Sequence, residues 1–144
     1  MQHTKPLRAL LLFSGLTAMA IGASILFAPT QFHASYGITL GPDANLLSEV
    51  RAPGGALLVL GAMMLAGVFV KSFAFASTAI ATAVYLAYGF ARLFSIASDG
   101  LPGPGLLAAT AFELIVGGMC ALALLRCAGA SRAASAPDRA GRAA

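Results

Sequence analysis

Long apolar segments separated by short polar stretches dominate the pattern of the chain. The four segments cover approximately residues 9–28, 45–70, 72–95 and 104–126. A membrane-spanning helix needs about 20 mainly apolar residues to cross a hydrocarbon core of ~30 Å. The pattern therefore predicts an all-α, four-helix transmembrane bundle that forms one domain over residues 1–128. Residues 129–144 lack large apolar side chains and are predicted to form a disordered cytoplasmic tail.

The composition agrees with a membrane protein. Hydrophobic residues make up 59% of the chain and charged residues only 10%, whereas a soluble domain carries roughly a quarter of its residues as charges. The first segment could instead be a cleaved signal peptide, because AMA at 18–20 resembles a cleavage site. Its apolar run continues to Ala28, however, beyond the ~7 to 15 residues of a signal core, so we expect the first helix to be retained.

The basic residues are unevenly divided between the two ends of the predicted helices. Arg51 and Arg92 lie on one side, and the other side carries Lys5, Arg8, Lys71, Arg126, Arg132, Arg139 and Arg142. The positive-inside rule then places both termini in the cytoplasm. We expect a multi-pass protein of the bacterial cytoplasmic (inner) membrane. This bias also accounts for the net charge of +4, so no nucleic-acid partner is predicted.

Sequence signatures of common soluble enzymes are missing from the chain. It contains no CxxC, HExxH or GxSxG motif and no phosphate-binding loop, each of which would mark a particular chemistry. No catalytic residue, metal site or cofactor is therefore predicted.

One carboxylate, Glu113, interrupts the fourth apolar segment. If the helix enters the membrane at Gly105, Glu113 lies about 12 Å deep at a rise of 1.5 Å per residue. Its ridge is lined by small residues, which favour close helix packing, so the side chain is predicted to face the bundle. The ridge consists of Ala109, Glu113, Gly117 and Ala121.

Arg92 is the predicted partner of Glu113, because it lies near the end of the third helix on the same side of the membrane. Ionisable side chains inside a membrane usually mark a function. The alternative is an ion pair that only holds two helices together, and the sequence does not decide between them. A small-residue row on the third helix is predicted to face the fourth helix: Ala79, Ala83, Ala87 and Ala91.

The polar residues on this side are predicted to form a ligand-binding or ion-pair cluster: Glu49, Arg51, Arg92, Asp99 and Glu113. The residues predicted to shape its pocket are Pro53, Gly54, Gly55, Tyr85 and Tyr88. Pro53 falls inside the second helix, where a kink is expected because proline removes a backbone donor; a simple packing notch is the alternative. Asp99 could instead cap a turn. In the first loop, Phe32 and Tyr36 are expected to anchor one helical turn at the membrane interface.

Two motifs resemble a known family. The strings LLSEVRAPGGALLVLGA and YGFARLFSIASDGLPGPGLLAATAFELIVG contain SExRAxGG and GxxRLxSxxxDGxPxP patterns, which are similar to those of the domain-of-unknown-function family 4345, small bacterial four-helix membrane proteins. The resemblance covers Leu7 to Leu125. It maps the recurrent residues of the family onto Glu49, Arg51, Gly54, Gly55, Arg92, Ser95, Asp99, Gly100 and Glu113. One departure concerns the motif glycine ahead of the arginine. It falls at Gly89, with Phe90 and Ala91 between it and Arg92. The family implies a fold and a polar cluster but supplies no activity.

Two functions from different classes remain open. The first is a non-enzymatic binding or accessory protein whose polar cluster holds a lipophile, a lipid headgroup or a partner helix. The alternative is a small membrane enzyme or proton-coupled carrier that uses Glu113. The expected partners are membrane lipids, with a larger membrane complex or self-association as further candidates.

Overall fold

The computed structural model describes the backbone of residues 4–134 and the side chains of residues 4–126. Within this range the chain is all-α. The helices are α1 (Lys5–Phe27), α2 (Pro29–Ala34), α3 (Ala44–Phe69), α4 (Ala74–Asp99) and α5 (Pro104–Ala134), and a 3-10 turn (Lys71–Phe73) joins α3 to α4.

Four of these helices are long and apolar enough to cross a membrane, with a mean hydropathy of 1.5 to 2.1 in their most apolar windows. The predicted four-helix membrane bundle is therefore confirmed, and each predicted segment matches one long helix. α3 begins after Asp43, whose Oδ1 accepts a hydrogen bond from the backbone nitrogen of Leu46 at 2.8 Å, because a carboxylate can satisfy the free amides of a first helical turn. Pro53 lies inside α3, as predicted.

The end of α5 differs from the predicted boundary at residue 126. The helix continues to Ala134, so the first residues of the predicted tail are helical. The rest of that tail, residues 135–144, lies outside the described residues.

The bundle is built from two tightly packed helix pairs. In the α1–α3 pair, the helices approach so closely that a Cβ on Gly22 would lie 2.5 Å from the backbone nitrogen of Leu58 and 2.7 Å from the carbonyl oxygen of Gly54. Gly61 faces Met19 and the carbonyl of Gly15 in the same way. Small residues permit this backbone contact, which stabilises helix pairs in membranes through van der Waals packing.

In the α4–α5 pair, the atoms nearest to the glycines belong to leucine side chains, and the backbone nitrogens of those leucines lie slightly farther away. Gly89 faces the side chain of Leu114, and Gly117 faces the side chain of Leu86. The α5 ridge that includes Gly117 thus faces the bundle, as predicted.

The two pairs meet most tightly near the turn at Lys71. Here the largest fully buried side chains come together, including Leu11, Met64, Thr78 and Cys120. The hydroxyl of Ser77 donates to the carbonyl of Met63 at 2.6 Å and so connects α4 to α3. Towards the opposite end, which carries α2 and the loop between α4 and α5, the pairs enclose a cavity.

Candidate functional site

A cavity of about 90 Å³ lies between the two helix pairs. It draws residues from all five helices and from the segment after α2. Its lining consists of Ala18, Ile21, Ile25, Phe32, Tyr36, Leu57, Val84, Tyr85, Tyr88, Arg92, Ala109, Phe112 and Glu113. Most of these side chains are apolar and five are aromatic, so the cavity suits a small apolar group with a polar part.

Arg92 and Glu113 supply the charged part of the wall. Nε of Arg92 donates to Oε2 of Glu113 at 2.9 Å, and the two side chains are 33% and 14% exposed, respectively. Arg92 precedes the end of α4 by seven residues and Glu113 follows the start of α5 by nine. At 1.5 Å per residue these distances are about 10 and 13 Å, so the two groups lie at similar depth. The contact expected from the sequence is present.

Aromatic rings form the floor of the cavity. The ring of Phe112 makes edge-to-face contacts with Tyr85 at 6.0 Å and with Phe13 at 5.9 Å between centroids. The hydroxyl of Tyr85 donates to the backbone carbonyl of Ser14 at 2.7 Å. Because this buried hydrogen bond joins α4 to α1, it fixes one helix pair against the other beneath the cavity.

The segment around α2 forms the roof. Phe32 and Tyr36 make an edge-to-face contact with centroids 5.5 Å apart. Tyr36 also lies against the first turn of α5, where a Cβ on Gly105 would lie 3.2 Å from its ring. The sequence predicted these two residues as a helical turn at the membrane interface; the structure places them over the cavity as lining residues.

Three members of the predicted polar cluster do not line the cavity. Nε of Arg51 donates to the carbonyl oxygen of Leu26 at 3.2 Å. Leu26 lies in the last turn of α1, where backbone carbonyls have no amide partner within the helix. Asp99 accepts a hydrogen bond from the hydroxyl of Ser95 at 3.0 Å and is exposed, as is Glu49. Of the five predicted residues, the structure thus brings Arg92 and Glu113 together at the cavity and places the other three outside its lining.

The predicted pocket-shaping residues divide in the same way. Tyr85 and Tyr88 line the cavity, but Pro53, Gly54 and Gly55 do not. The reason is that Gly54 is used for helix packing: a Cβ there would lie 2.7 Å from the side chain of Ile25 on α1.

The face of α4 that packs inward also differs from the prediction. Of the alanine row expected to face α5, Ala83, Ala87 and Ala91 are exposed. The buried face instead carries Tyr85 and Gly89. Small residues occur on several faces of α4, so their spacing alone does not identify the packed face.

Sequence reasoning missed most of the apolar lining. On α1 it consists of Ala18, Ile21 and Ile25, and on α5 Phe112 joins the predicted ridge residues Ala109 and Glu113. Both sets have the i, i+3 and i+4 or i+7 spacing of one helix face. That spacing was a signal for a shared face, but it does not reveal which faces leave a space between them.

Metal binding has no support from the described part of the chain. Within residues 4–126, no group of three or more His, Cys, Asp or Glu side chains is arranged to hold a metal ion.

Comparison with known families identifies the relationship of the chain. A model described as Domain of unknown function (DUF4345) matches residues 6–124. The chain belongs to this family. The match confirms the resemblance seen in the sequence. No curated protein and no solved structure matches the chain. Family membership describes the fold and leaves the activity to be argued from the site.

Proposed function

We propose that this small integral membrane protein is a non-enzymatic binding protein, and that the cavity holds the polar head of a membrane lipophile. The observation that carries the proposal is the combination of an apolar, aromatic-lined cavity with the Arg92–Glu113 pair in its wall. Ionisable groups within a membrane are costly and commonly mark binding sites or pathways. An ion pair that only joined α4 to α5 would need no cavity beside it.

The size of the cavity supports binding of a headgroup rather than of a whole lipid. Its volume of about 90 Å³ exceeds the roughly 10–15 Å³ needed for one water molecule. It is smaller than the ~150 Å³ cavity that accepts benzene. A polar head and a few carbon atoms fit this space, and the remaining chain would extend into the bilayer. A partner helix, about 10–12 Å in diameter, is too wide for it.

Partial exposure supports access from outside the bundle. Tyr88 and Arg92 line the cavity and are 36% and 33% exposed. Both lie on α4, one turn apart. A lipophile could therefore enter beside α4 without separating the two helix pairs.

Blocking the cavity tests this function. The protein would be purified in mild detergent from its native membranes, and bound lipids and proteins would be identified by mass spectrometry. Ala109→Phe fills the cavity, whereas Ala111→Phe adds the same group to an exposed position of the same helix. We expect Ala109→Phe to lose a lipophile that the wild type and Ala111→Phe retain.

Glu113→Gln provides a second comparison in the same experiment, because it changes the wall of the cavity with little change in volume. We expect it to alter the bound lipophile. Identical lipid content in the wild type, Ala109→Phe and Glu113→Gln would refute the proposal. A co-purified protein that both variants lose would favour an accessory role in a larger complex.

The location proposed for this function is the bacterial cytoplasmic membrane, with both termini in the cytoplasm. The support is the excess of Lys and Arg on the side of the termini and of Lys71. A green fluorescent protein fused to the C-terminus should fluoresce, and alkaline phosphatase fused there should be inactive. The opposite pattern would reverse the proposed orientation.

A further inference from the structure

The charge of the cavity wall restricts which headgroup can bind. Among the described residues, Arg92 and Glu113 are the two charged side chains that line the cavity, and they neutralise each other through their contact. An arginine paired with an ionised glutamate gives the wall no net charge. A charged head would lose its hydration without gaining a free counter-ion, which is unfavourable in an apolar site.

The same pair offers hydrogen-bonding groups of both kinds. The contact between the two residues uses Nε of Arg92 and Oε2 of Glu113. The Nη groups of Arg92 are donors only, and Oε1 of Glu113 is an acceptor when the carboxylate is ionised. Within the described residues, no other protein group hydrogen-bonds to these atoms. They are available to a third group.

Tyr88 adds a hydroxyl to this part of the wall. It precedes Arg92 by one helical turn and lines the same cavity, and a phenol hydroxyl can both donate and accept. A head that carries a donor and an acceptor can therefore be satisfied on both sides. A carboxylate offers only acceptors, and an alkylammonium group offers only donors.

We infer that the ligand is an uncharged lipophile whose head is a hydroxyl, or a hydroxyl beside a carbonyl, with its acceptor facing Arg92 and its donor facing Glu113. This inference rests on the proposed binding function and specifies the ligand class. The apolar remainder of the head region would contact the aromatic lining.

Photolabelling with three matched probes tests the inference. Each probe has a dodecyl chain with a diazirine near its head, and the heads are an alcohol, a carboxylate and a primary amine. The wild-type protein in phosphatidylcholine vesicles would be labelled at pH 7, and labelled peptides would be mapped by mass spectrometry. We expect the alcohol to label peptides that contain cavity residues about tenfold more efficiently than either charged probe, because uncompensated burial of a charge is unfavourable.

Variants of the ion pair should change the relative labelling efficiencies of the two charged probes in opposite directions. Glu113→Gln leaves Arg92 without its carboxylate, so the carboxylate probe should gain labelling. Arg92→Gln leaves Glu113 without its cation, so the amine probe should gain. The exchange of both residues, Arg92→Glu with Glu113→Arg, restores neutrality and should restore the preference for the alcohol. Asp99→Asn, outside the cavity, is the control and should match the wild type.

The outcomes separate this inference from the function on which it rests. Preferential cavity labelling by a charged probe in the wild type would overturn the inference and leave lipophile binding supported. Absence of cavity labelling by all three probes would overturn both. Because the wild type gives the main comparison, poor folding of a variant does not remove the test.

Discussion

The two helix pairs use different packing, and the difference explains where a ligand site can form. The closest backbone approach is between α1 and α3 at Gly22, where a Cβ would meet only backbone atoms of α3. Between α4 and α5, the atoms nearest to Gly89 and Gly117 belong to leucine side chains. The α4–α5 pair also carries both charged residues of the cavity. The first pair therefore provides a closely packed support, and the second provides the groups that can recognise a ligand.

The largest expected effect comes from Gly22→Ala, which tests the backbone contact of α1 and α3. Its Cβ would lie 2.5 Å from the backbone nitrogen of Leu58, and the backbone cannot rotate away. We expect the free energy of unfolding to fall by about 3 kcal/mol, the upper part of the range for overpacking. Unfolding in mixed micelles with increasing sodium dodecyl sulfate, followed by circular dichroism, would measure it.

Gly118→Ala is the matched control for this change. A Cβ at Gly118 meets nothing within 4 Å, and alanine is favoured over glycine in helices by about 1 kcal/mol. We expect no loss of stability. Equal losses at Gly22 and Gly118 would contradict the claim that α1 and α3 depend on close backbone approach.

The next effect tests the ion pair of the second helix pair. Arg92→Gln removes the cation that hydrogen-bonds to Glu113, a side chain only 14% exposed. Leaving a partly buried polar group without its partner should reduce the free energy of unfolding by about 2 kcal/mol. The same micelle titration would measure it, with Asp99→Asn at an exposed position as the control. A loss no larger than that of the control would show that the pair contributes nothing to holding α4 against α5.

A smaller effect is expected at the link between the pairs. Tyr85→Phe removes the hydroxyl that donates to the carbonyl of Ser14 and keeps the ring against Phe112. The expected loss is about 1 kcal/mol, as for one hydrogen bond. Tyr88→Phe, at a side chain that is 36% exposed, should change the unfolding free energy by less. A larger loss for Tyr88→Phe than for Tyr85→Phe would show that the Tyr85 hydrogen bond is not the main link between the pairs.

The smallest effect should come from Gly89→Ala, which probes side-chain packing in the α4–α5 pair. Its Cβ would lie 2.7 Å from Cδ2 of Leu114, at the end of a side chain that can adjust. Helix propensity offsets part of the overlap, so we expect a change of less than about 1 kcal/mol. A loss as large as that of Gly22→Ala would remove the distinction between the two helix pairs.

Much of the fold could be predicted from the sequence, because span length is a local property. The four spans follow from the lengths of their apolar segments. The Arg92–Glu113 contact could be predicted too, because the apolar segments place both residues at similar depth near the same end of the bundle.

The remaining features depend on tertiary packing. Arg51 donates to a backbone carbonyl of α1. Because every residue has a backbone carbonyl, the sequence does not indicate which one will accept this hydrogen bond. The alanines of α4 occupy several faces, and the packed face is set by Tyr85 and Gly89. The cavity lining comes from helices distant in sequence, so the space between them could not be read from any single segment.

The most direct test of lipophile binding uses the tyrosines as reporters. The chain has three tyrosines and no tryptophan, and all three tyrosines line the cavity. A dodecanol with bromine near its hydroxyl would be titrated into vesicles that contain the protein, and tyrosine fluorescence would be recorded. We predict saturable quenching in the wild type and in Ala111→Phe, and only weak, non-saturating quenching in Ala109→Phe. Equal quenching curves for the three proteins would contradict binding in the cavity.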